Sequence, residues 1–110
     1  MNRTEFIQMV ETIDIPHVYY SFPVNEAPKL PYFVWYFDGT ENFGADDKTY
    51  SEILNPVIEL YTSGKNFETE NTIETVLNAA GLFWNKNEQY LTTEEMFMIT
   101  YEIGDILNGK

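Results

Sequence analysis

The chain lacks cysteine, has one histidine, and carries only six lysine and arginine residues against 18 aspartate and glutamate residues. The absence of cysteine excludes disulfides, thiolate zinc sites and cysteine nucleophiles. With His17 as the single histidine, a two-histidine metal site cannot form within one chain. His17 follows Pro16 at the start of a short aromatic and β-branched stretch, and we interpret it as a structural residue of a strand.

The scarcity of positive charge restricts the partners of the protein. The formal net charge is −12 at pH 7, so a phosphate backbone would be repelled, and we expect no direct binding of DNA or RNA. Long hydrophobic runs are also missing, and no stretch approaches the roughly 20 apolar residues that a membrane-spanning helix needs. We therefore expect a soluble protein of cytoplasmic origin, without a membrane partner.

The chain nevertheless contains enough apolar material for a core. Hydrophobic residues make up 44% and aromatic residues 16% of its 110 residues, which predicts one folded domain over residues 1–110. We expect residues 1–4 and 104–110 to be loose tails.

Hydrophobic periodicity predicts two amphipathic helices, the first ending at or before Pro16 and the second stopped by Gly81. Acidic residues precede the second helix, where they favour its positive N-terminus. The apolar stripes of the two helices are Phe6, Met9, Val10 and Ile13, and Ile73, Val76, Leu77 and Ala80.

The segments outside the two helices contain five predicted strands. We expect the third strand to be interrupted at Asn55-Pro56, because proline cannot donate to the ladder, and the fourth to be kinked at residues 85–87. The order helix, three strands, helix, two strands predicts an α+β fold, with an antiparallel or mixed sheet of about five strands flanked by two helices. The predicted strands are residues 17–22, 32–37, 49–62, 82–91 and 95–103.

The second strand has apolar side chains on both of its alternating faces, in the sequence Y-F-V-W-Y-F. Such a strand is most often packed in a core and against neighbouring strands. Aromatic residues are also enriched at protein interfaces, so self-association or docking on a partner is the alternative. The sequence leaves both interpretations open.

Motifs for chemistry are weak. Asp38, Glu41, Asp46 and Asp47 cluster in a predicted loop at residues 38–47, but their spacing lacks the ligand pattern of an EF-hand. Carboxylate pairs perform acid-base catalysis only when their pKa values are driven apart, and a loop of this composition is normally solvated. Gly39 and Gly44 do not form a phosphate-binding loop. We predict no enzyme activity, no metal and no cofactor.

Several segments in order carry a family resemblance. P-Y-F-V-W-Y at residues 31–36 is followed by N-F-G-A-D-D-K-T-Y at residues 42–50 and by I-E-L-Y-T at residues 58–62. N-T-I-E-T-V-L at residues 71–77 and M-F-M-I-T-Y-E-I at residues 96–103 complete the pattern. This order resembles the tail completion proteins, also called tail terminator or tail-to-head joining proteins, of long-tailed bacteriophages and prophages of Gram-positive bacteria.

The resemblance implies a structural virion protein with a mixed sheet flanked by helices. Members of that family form a six-fold ring that stops tail-tube growth and presents a surface to the filled head. The implied partners are further copies of the chain, the tail tube protein and the head-tail connector protein, while DNA passes through the ring without adhering. The implied location is the virion tail or head-tail junction, assembled in the cytoplasm of a bacterial host.

Within that interpretation, the aromatic strand and the acidic loop are expected to contact neighbouring subunits or partners. The candidate contact residues are Trp35, Phe37, Phe43, Asp46, Asp47 and Tyr50.

Two other functions remain open. One is a head-tail connector or minor capsid component, which the sequence hardly separates from a tail completion protein. The other is an acidic inhibitor that mimics DNA, for which the net charge of −12 is suggestive. A mimic should display carboxylates in phosphate-like rows, whereas Glu68, Glu70 and Glu74 form the only helical group at useful spacing.

Overall fold

A computed structural model of the protein describes residues 1–42, 52–104 and 106–107. It has the predicted α+β fold, with two helices and a mixed sheet. The elements in chain order are α1 (Arg3–Glu11), β1 (His17–Tyr19), β2 (Tyr32–Asn42), β3 (Glu52–Thr62), α2 (Phe67–Ala79), β4 (Trp84–Leu91), β5 (Met96–Ile103) and β6 (Ile106–Leu107).

Both helices begin at an asparagine cap. The Asn2 side chain accepts a hydrogen bond of 2.9 Å from the Glu5 backbone N–H, and the Glu5 carboxylate accepts one of 2.9 Å from the Asn2 backbone N–H. This reciprocal capping box satisfies two backbone donors at the start of α1. At α2, the Asn66 side chain accepts a hydrogen bond of 3.0 Å from the backbone N–H of Thr69.

The sheet has the strand order β1-β2-β3-β5-β4, with β6 paired to β3. β1 is an edge strand that covers three of the six residues predicted for it, and it runs parallel to β2. This parallel pair makes the sheet mixed, one of the two sheet types that the sequence predicts. Residues 20–31 between β1 and β2 number about a dozen, which is the length that a parallel connection requires. The other strand pairs are antiparallel.

Pro56 lies in β3, which is paired on both sides, although proline cannot donate a ladder hydrogen bond. Phe37 of β2 pairs with Pro56, but Thr40 pairs with Leu54, so β2 holds one extra residue opposite Asn55, next to the proline. On the other side, pairing with β5 ends at Val57 and pairing with β6 begins at Leu54. The interruption expected at this proline is confirmed, and the extra residue is in the partner strand.

Three expectations about the strands and ends are wrong. β2 continues through Asn42, because its antiparallel pairing with β3 resumes after the bulge, so residues 38–42 are strand rather than loop. β4 has no kink at residues 85–87, because each of its residues pairs with β5. The ends are not loose throughout: Asn2 caps α1, and Ile106–Leu107 pair with β3.

The core lies between the helices and one face of the sheet. Phe6 and Val10 of α1 and Ile73 and Leu77 of α2 are fully buried there. Apolar side chains at helical spacing on α1 and α2 meet alternate residues of the strands, as amphipathic elements require. The strand residues of this cluster include Phe33, Trp35, Ile58, Leu60, Ile99, Tyr101 and Ile103.

Candidate interaction surface

The sheet has a second face that carries a mixed aromatic and acidic surface. Strand register pairs Tyr36 with Val57 and Val34 with Glu59. Because side chains alternate along a strand, these four point to the opposite side of the sheet from the core residues between them. Because both helices pack on the core side, we call this second side the open face. Its residues on β2, β3 and β5 are Tyr32, Val34, Tyr36, Val57, Glu59, Tyr61, Met98, Thr100 and Glu102.

Glu59 is the centre of a hydrogen-bond group on the open face. The Tyr36 hydroxyl donates to its Oε2 atom at 2.7 Å, and the Tyr61 hydroxyl donates to its Oε1 atom at 2.8 Å. Burial, followed by the hydrogen bond to Glu59, raises the pKa of Tyr36 and of Tyr61 well above the usual tyrosine value. Both phenols therefore stay neutral donors and hold the carboxylate in one orientation.

Aromatic rings continue this group across the open face. The rings of Tyr32 and Tyr61 lie 5.4 Å apart, and Phe22 meets Tyr32 edge to face at 5.2 Å. Tyr20, which is 67% exposed, meets Tyr36 edge to face at 6.0 Å. Contacts of this kind fix ring orientation and leave an amphipathic surface of the type found at interfaces.

A groove opens beside this group, with a volume of about 530 Å³. We call it the tyrosine groove, and its described lining consists of Tyr20, Ser21, Tyr36, Phe37, Asp38 and Glu59. Tyr20 has a left-handed backbone with φ of 72°, which a bulky residue rarely adopts. Its backbone N–H donates a hydrogen bond of 2.7 Å to the carbonyl of Trp35, which holds the residue in place beside β2.

Of the six predicted contact residues, two pack at the core and four lie outside the residues that the structure describes. Trp35 is only 6% exposed and packs 5.9 Å from the ring of Phe6, on the helix side of the sheet. Phe37 is partly buried against the same core, and it also lines the tyrosine groove. A contact role for these two aromatics stays a prediction, and the burial of Trp35 favours the packing interpretation. Phe43, Asp46, Asp47 and Tyr50 lie outside the described residues.

A second charged group lies on the helix side of the sheet. The Glu70 side chain is 2% exposed, yet its two oxygens accept hydrogen bonds from Lys65 at 2.6 Å and from Lys86 at 2.8 Å. Burial raises the pKa of Glu70, but the two lysines outweigh burial and hold it below its ordinary value. Lys86 also reaches Glu74 at 2.6 Å, and the Tyr101 hydroxyl donates to Glu74 at 2.8 Å.

This second group links α2 to the sheet. Glu70 and Glu74 are one turn apart on the helix, whereas Lys86 belongs to β4 and Tyr101 to β5. Hydrogen bonds to Glu70 and Glu88 raise the pKa of Lys65. Burial lowers the pKa of Lys86, but the hydrogen bonds to Glu70 and Glu74 outweigh burial and raise it above its ordinary value. The ion pairs therefore persist over the neutral range. We assign the group to stability rather than to chemistry, because each buried charge is already paired.

His17 has a structural environment. Its Nδ1 atom lies 2.7 Å from the carbonyl oxygen of Ile15, and its ring stacks on Phe33 at 4.6 Å. Within residues 1–42, 52–104 and 106–107, no group of three or more side chains is arranged to hold a metal ion. In the same ranges, no helix is long and apolar enough to cross a membrane.

Sequence reasoning missed both charged groups. Glu59 had a signal, since it is the one charged residue in the otherwise apolar run of residues 56–61. Glu70 had none: its position in the first turn of a helix is typical of a solvated acidic residue that favours the N-terminus. Its burial becomes evident only when β4 brings Lys86 against α2.

The fold has a counterpart in a solved virion structure. No family model matches the chain, and no curated protein matches it. One chain of a structure described as "Virion of native gene transfer agent (GTA) particle" superposes with a TM-score of 0.52 and 18% sequence identity. The match covers 93% of this chain and 83% of that chain. At this identity the similarity shows a shared fold.

Proposed function

We propose that the protein is a structural component of a phage-like virion, which ends the tail tube and joins the tail to the head as a ring. The observation that carries this proposal is the shared fold with a chain of the gene transfer agent virion, because the match extends over 93% of the chain. The segment order that resembles tail completion proteins supports the same function independently. The role is structural and not enzymatic.

Surface composition supports assembly with other proteins. Several large apolar residues are exposed, among them Phe67 at 73% and Phe83 at 71%. Exposed aromatic residues of this kind are enriched at protein interfaces. We propose that copies of the chain contact one another and the tail tube protein through such residues, with the head-tail connector protein on the opposite side of the ring.

The charge of the chain fits a channel for DNA. A net charge of −12 on each copy gives a ring whose inner wall repels phosphate, so DNA passes without binding. The same charge makes free copies repel each other, since like charges oppose association in dilute salt. We therefore expect the free protein to assemble weakly until the tail tube orients several copies together.

Native mass measurement tests this proposal. The protein is measured over a wide concentration range, alone and with recombinant tail tube protein from the same particle, at low and at moderate ionic strength. We expect a closed ring on the tube, and its formation should increase with salt because the repulsion between subunits is screened.

The control is the same titration with recombinant head-tail connector protein in place of the tube protein. A chain that forms a ring with the connector and ignores the tube is a connector component. A chain that stays monomeric with both proteins is not a joining protein, and the proposal is then wrong.

A further inference from the structure

The tyrosine groove has features that core packing does not explain. Tyr20 lines the groove in a rarely occupied backbone conformation, and the residue remains 67% exposed. Strained and exposed residues that the surrounding structure holds in place are found at binding sites. An exposed tyrosine ring offers a large contact area at a small cost in side-chain entropy.

The lining of the groove defines the charge of its occupant. Asp38 and Glu59 are acidic, and the other described lining residues, Tyr20, Ser21, Tyr36 and Phe37, are neutral. Two of the six basic residues of the chain, Lys65 and Lys86, are already engaged at Glu70 on the helix side of the sheet. A cationic group is complementary to the groove, because the described lining residues include two carboxylates and no basic side chain.

The arrangement of donors and acceptors favours a planar cation. Each oxygen of Glu59 accepts one tyrosine hydroxyl and retains a further lone pair, and the carboxylate is fixed in direction before any ligand arrives. A guanidinium group can donate to a carboxylate with two parallel hydrogen bonds and can stack on a tyrosine face. A bare metal ion would use neither the ring of Tyr20 nor the width of the groove.

We propose that the tyrosine groove binds an arginine side chain on an exposed segment of a partner protein. Asp38 and Glu59 supply the carboxylates, and Tyr20 and Tyr36 supply aromatic surface beside the guanidinium. The inference rests on the proposed function for one point, namely that the partner is another protein of the particle. The affinity of the groove for a guanidinium group is inferred from its lining residues alone and does not depend on the proposed function.

A peptide titration followed by ¹⁵N NMR tests the inference directly. The probe is a blocked Gly-Arg-Gly peptide, and the matched probe carries citrulline, which has nearly the same shape without the charge. We expect the arginine peptide to shift the amide signals of Tyr20, Ser21 and Asp38 with a Kd on the order of 1 mM, the range for a single side chain. The citrulline peptide should shift them at least about tenfold more weakly.

Two variants and one control keep the result interpretable. Tyr20→Gly removes the ring and suits the left-handed backbone, so the fold is retained. Asp38→Asn removes one charge from an exposed site. Both should weaken the arginine peptide at least about fivefold, whereas Glu94→Gln, in the turn after β4, removes a charge elsewhere and should leave its Kd unchanged.

The failures of this inference and of the proposed function are distinguishable. Equal shifts with the citrulline peptide, shifts outside the groove alone, or unchanged binding in Tyr20→Gly and Asp38→Asn would overturn the arginine site, whatever the native mass measurement shows. Charge-dependent binding in the groove by a chain that joins neither tube nor connector would support the site and contradict the proposed function.

Discussion

The Nζ atom of Lys86 lies 2.8 Å from the Oε1 atom of Glu70, although the Glu70 side chain is only 2% exposed. Lys65 reaches the other oxygen at 2.6 Å, so a carboxylate at the start of α2 is paired from two directions. A buried charge that keeps its partners costs little, whereas one that loses them is strongly unfavourable. The group therefore fixes the position of α2 on β4.

Replacing Glu70 by glutamine should destabilise the protein. Glu70→Gln removes the carboxylate that Lys65 and Lys86 share, although Lys65 keeps Glu88 and Lys86 keeps Glu74 as charged partners. We expect a loss of about 1–3 kcal/mol of unfolding free energy, because two charge-assisted hydrogen bonds to a buried group are weakened. Urea denaturation measures the loss. Glu68→Gln, an exposed change in the same turn, is the control and should stay within about 0.5 kcal/mol of the parent. Equal stability of the two variants would contradict the assignment.

The same group predicts a pH dependence. The pKa of Glu70 lies below its ordinary value of 4.5, so its contribution is complete above that pH and is lost as the pH falls through the lowered value. The pKa values of Lys65 and Lys86 lie above 10.5, so their contribution is complete below that pH and is lost as the pH rises further.

Glu70→Gln should therefore have a shallower loss of stability below pH 4.5 and above pH 10.5 than the parent. Urea midpoints measured across the pH range test this. Parallel pH profiles for parent and variant would show that Glu70 does not carry the dependence.

The elements of this fold could be predicted because their patterns are local. Phe6 and Val10 recur at helical spacing, and apolar residues alternate around Ile58, because these residues face the core. Both patterns can be read from a short stretch of sequence. The parallel pairing of β1 with β2 could not be predicted, since it depends on the path of residues 20–31. The sequence predicted an interruption at Asn55-Pro56 but not which strand holds the bulge, because the extra residue belongs to the partner strand β2.

The candidate site was harder to predict than the fold. The sequence left core packing and an interface open for the aromatic strand. In the structure Trp35 faces the core and Tyr36 the open face, and the sequence does not say which face the helices cover. Glu59 belongs to the site only because the pairing of β2 with β3 brings the Tyr36 hydroxyl within hydrogen-bond distance of its carboxylate. Long-range pairing, rather than propensity, determines such a group.

The tyrosines around Glu59 should each contribute a hydrogen bond to stability. Tyr36→Phe and Tyr61→Phe each remove one donor to the carboxylate, and we expect a loss of about 1 kcal/mol per variant. A double-mutant cycle by urea denaturation should show coupling, because both hydroxyls orient one carboxylate. Tyr90→Phe, at a residue 48% exposed on β4, is the control and should have little effect. Additive single losses would contradict the shared carboxylate.

The phenol groups of Tyr36, Tyr61 and Tyr101 should resist ionisation. Burial, followed by a hydrogen bond to a glutamate, raises the pKa of each above the usual value of 10.0. In an ultraviolet titration of the folded protein, these three phenols should remain neutral as the pH rises past 10, the usual value for a tyrosine. The contribution to stability is present below pH 10 and is lost as the pH rises further. Ionisation of all eight tyrosines together near pH 10 without unfolding would contradict the burial of these groups.

The short strand β6 should matter for stability. Ile106 is 3% exposed and belongs to the core, and its residue pairs with Leu54 of β3. Ile106→Ala should cost about 2–4 kcal/mol, the range for a buried isoleucine that leaves a cavity. Thermal or urea unfolding measures it. If residues 104–110 were a loose tail, Ile106→Ala would leave the free energy of unfolding unchanged, so an effect near zero would contradict a structural role for β6.

Particles made from a genome that lacks this chain test the central claim most directly. Electron microscopy should show filled heads and tail tubes that accumulate separately, with tubes of irregular length, and supplying the chain in trans should restore joined particles. Joined particles of normal tail length in its absence would contradict a role at the junction of tail and head.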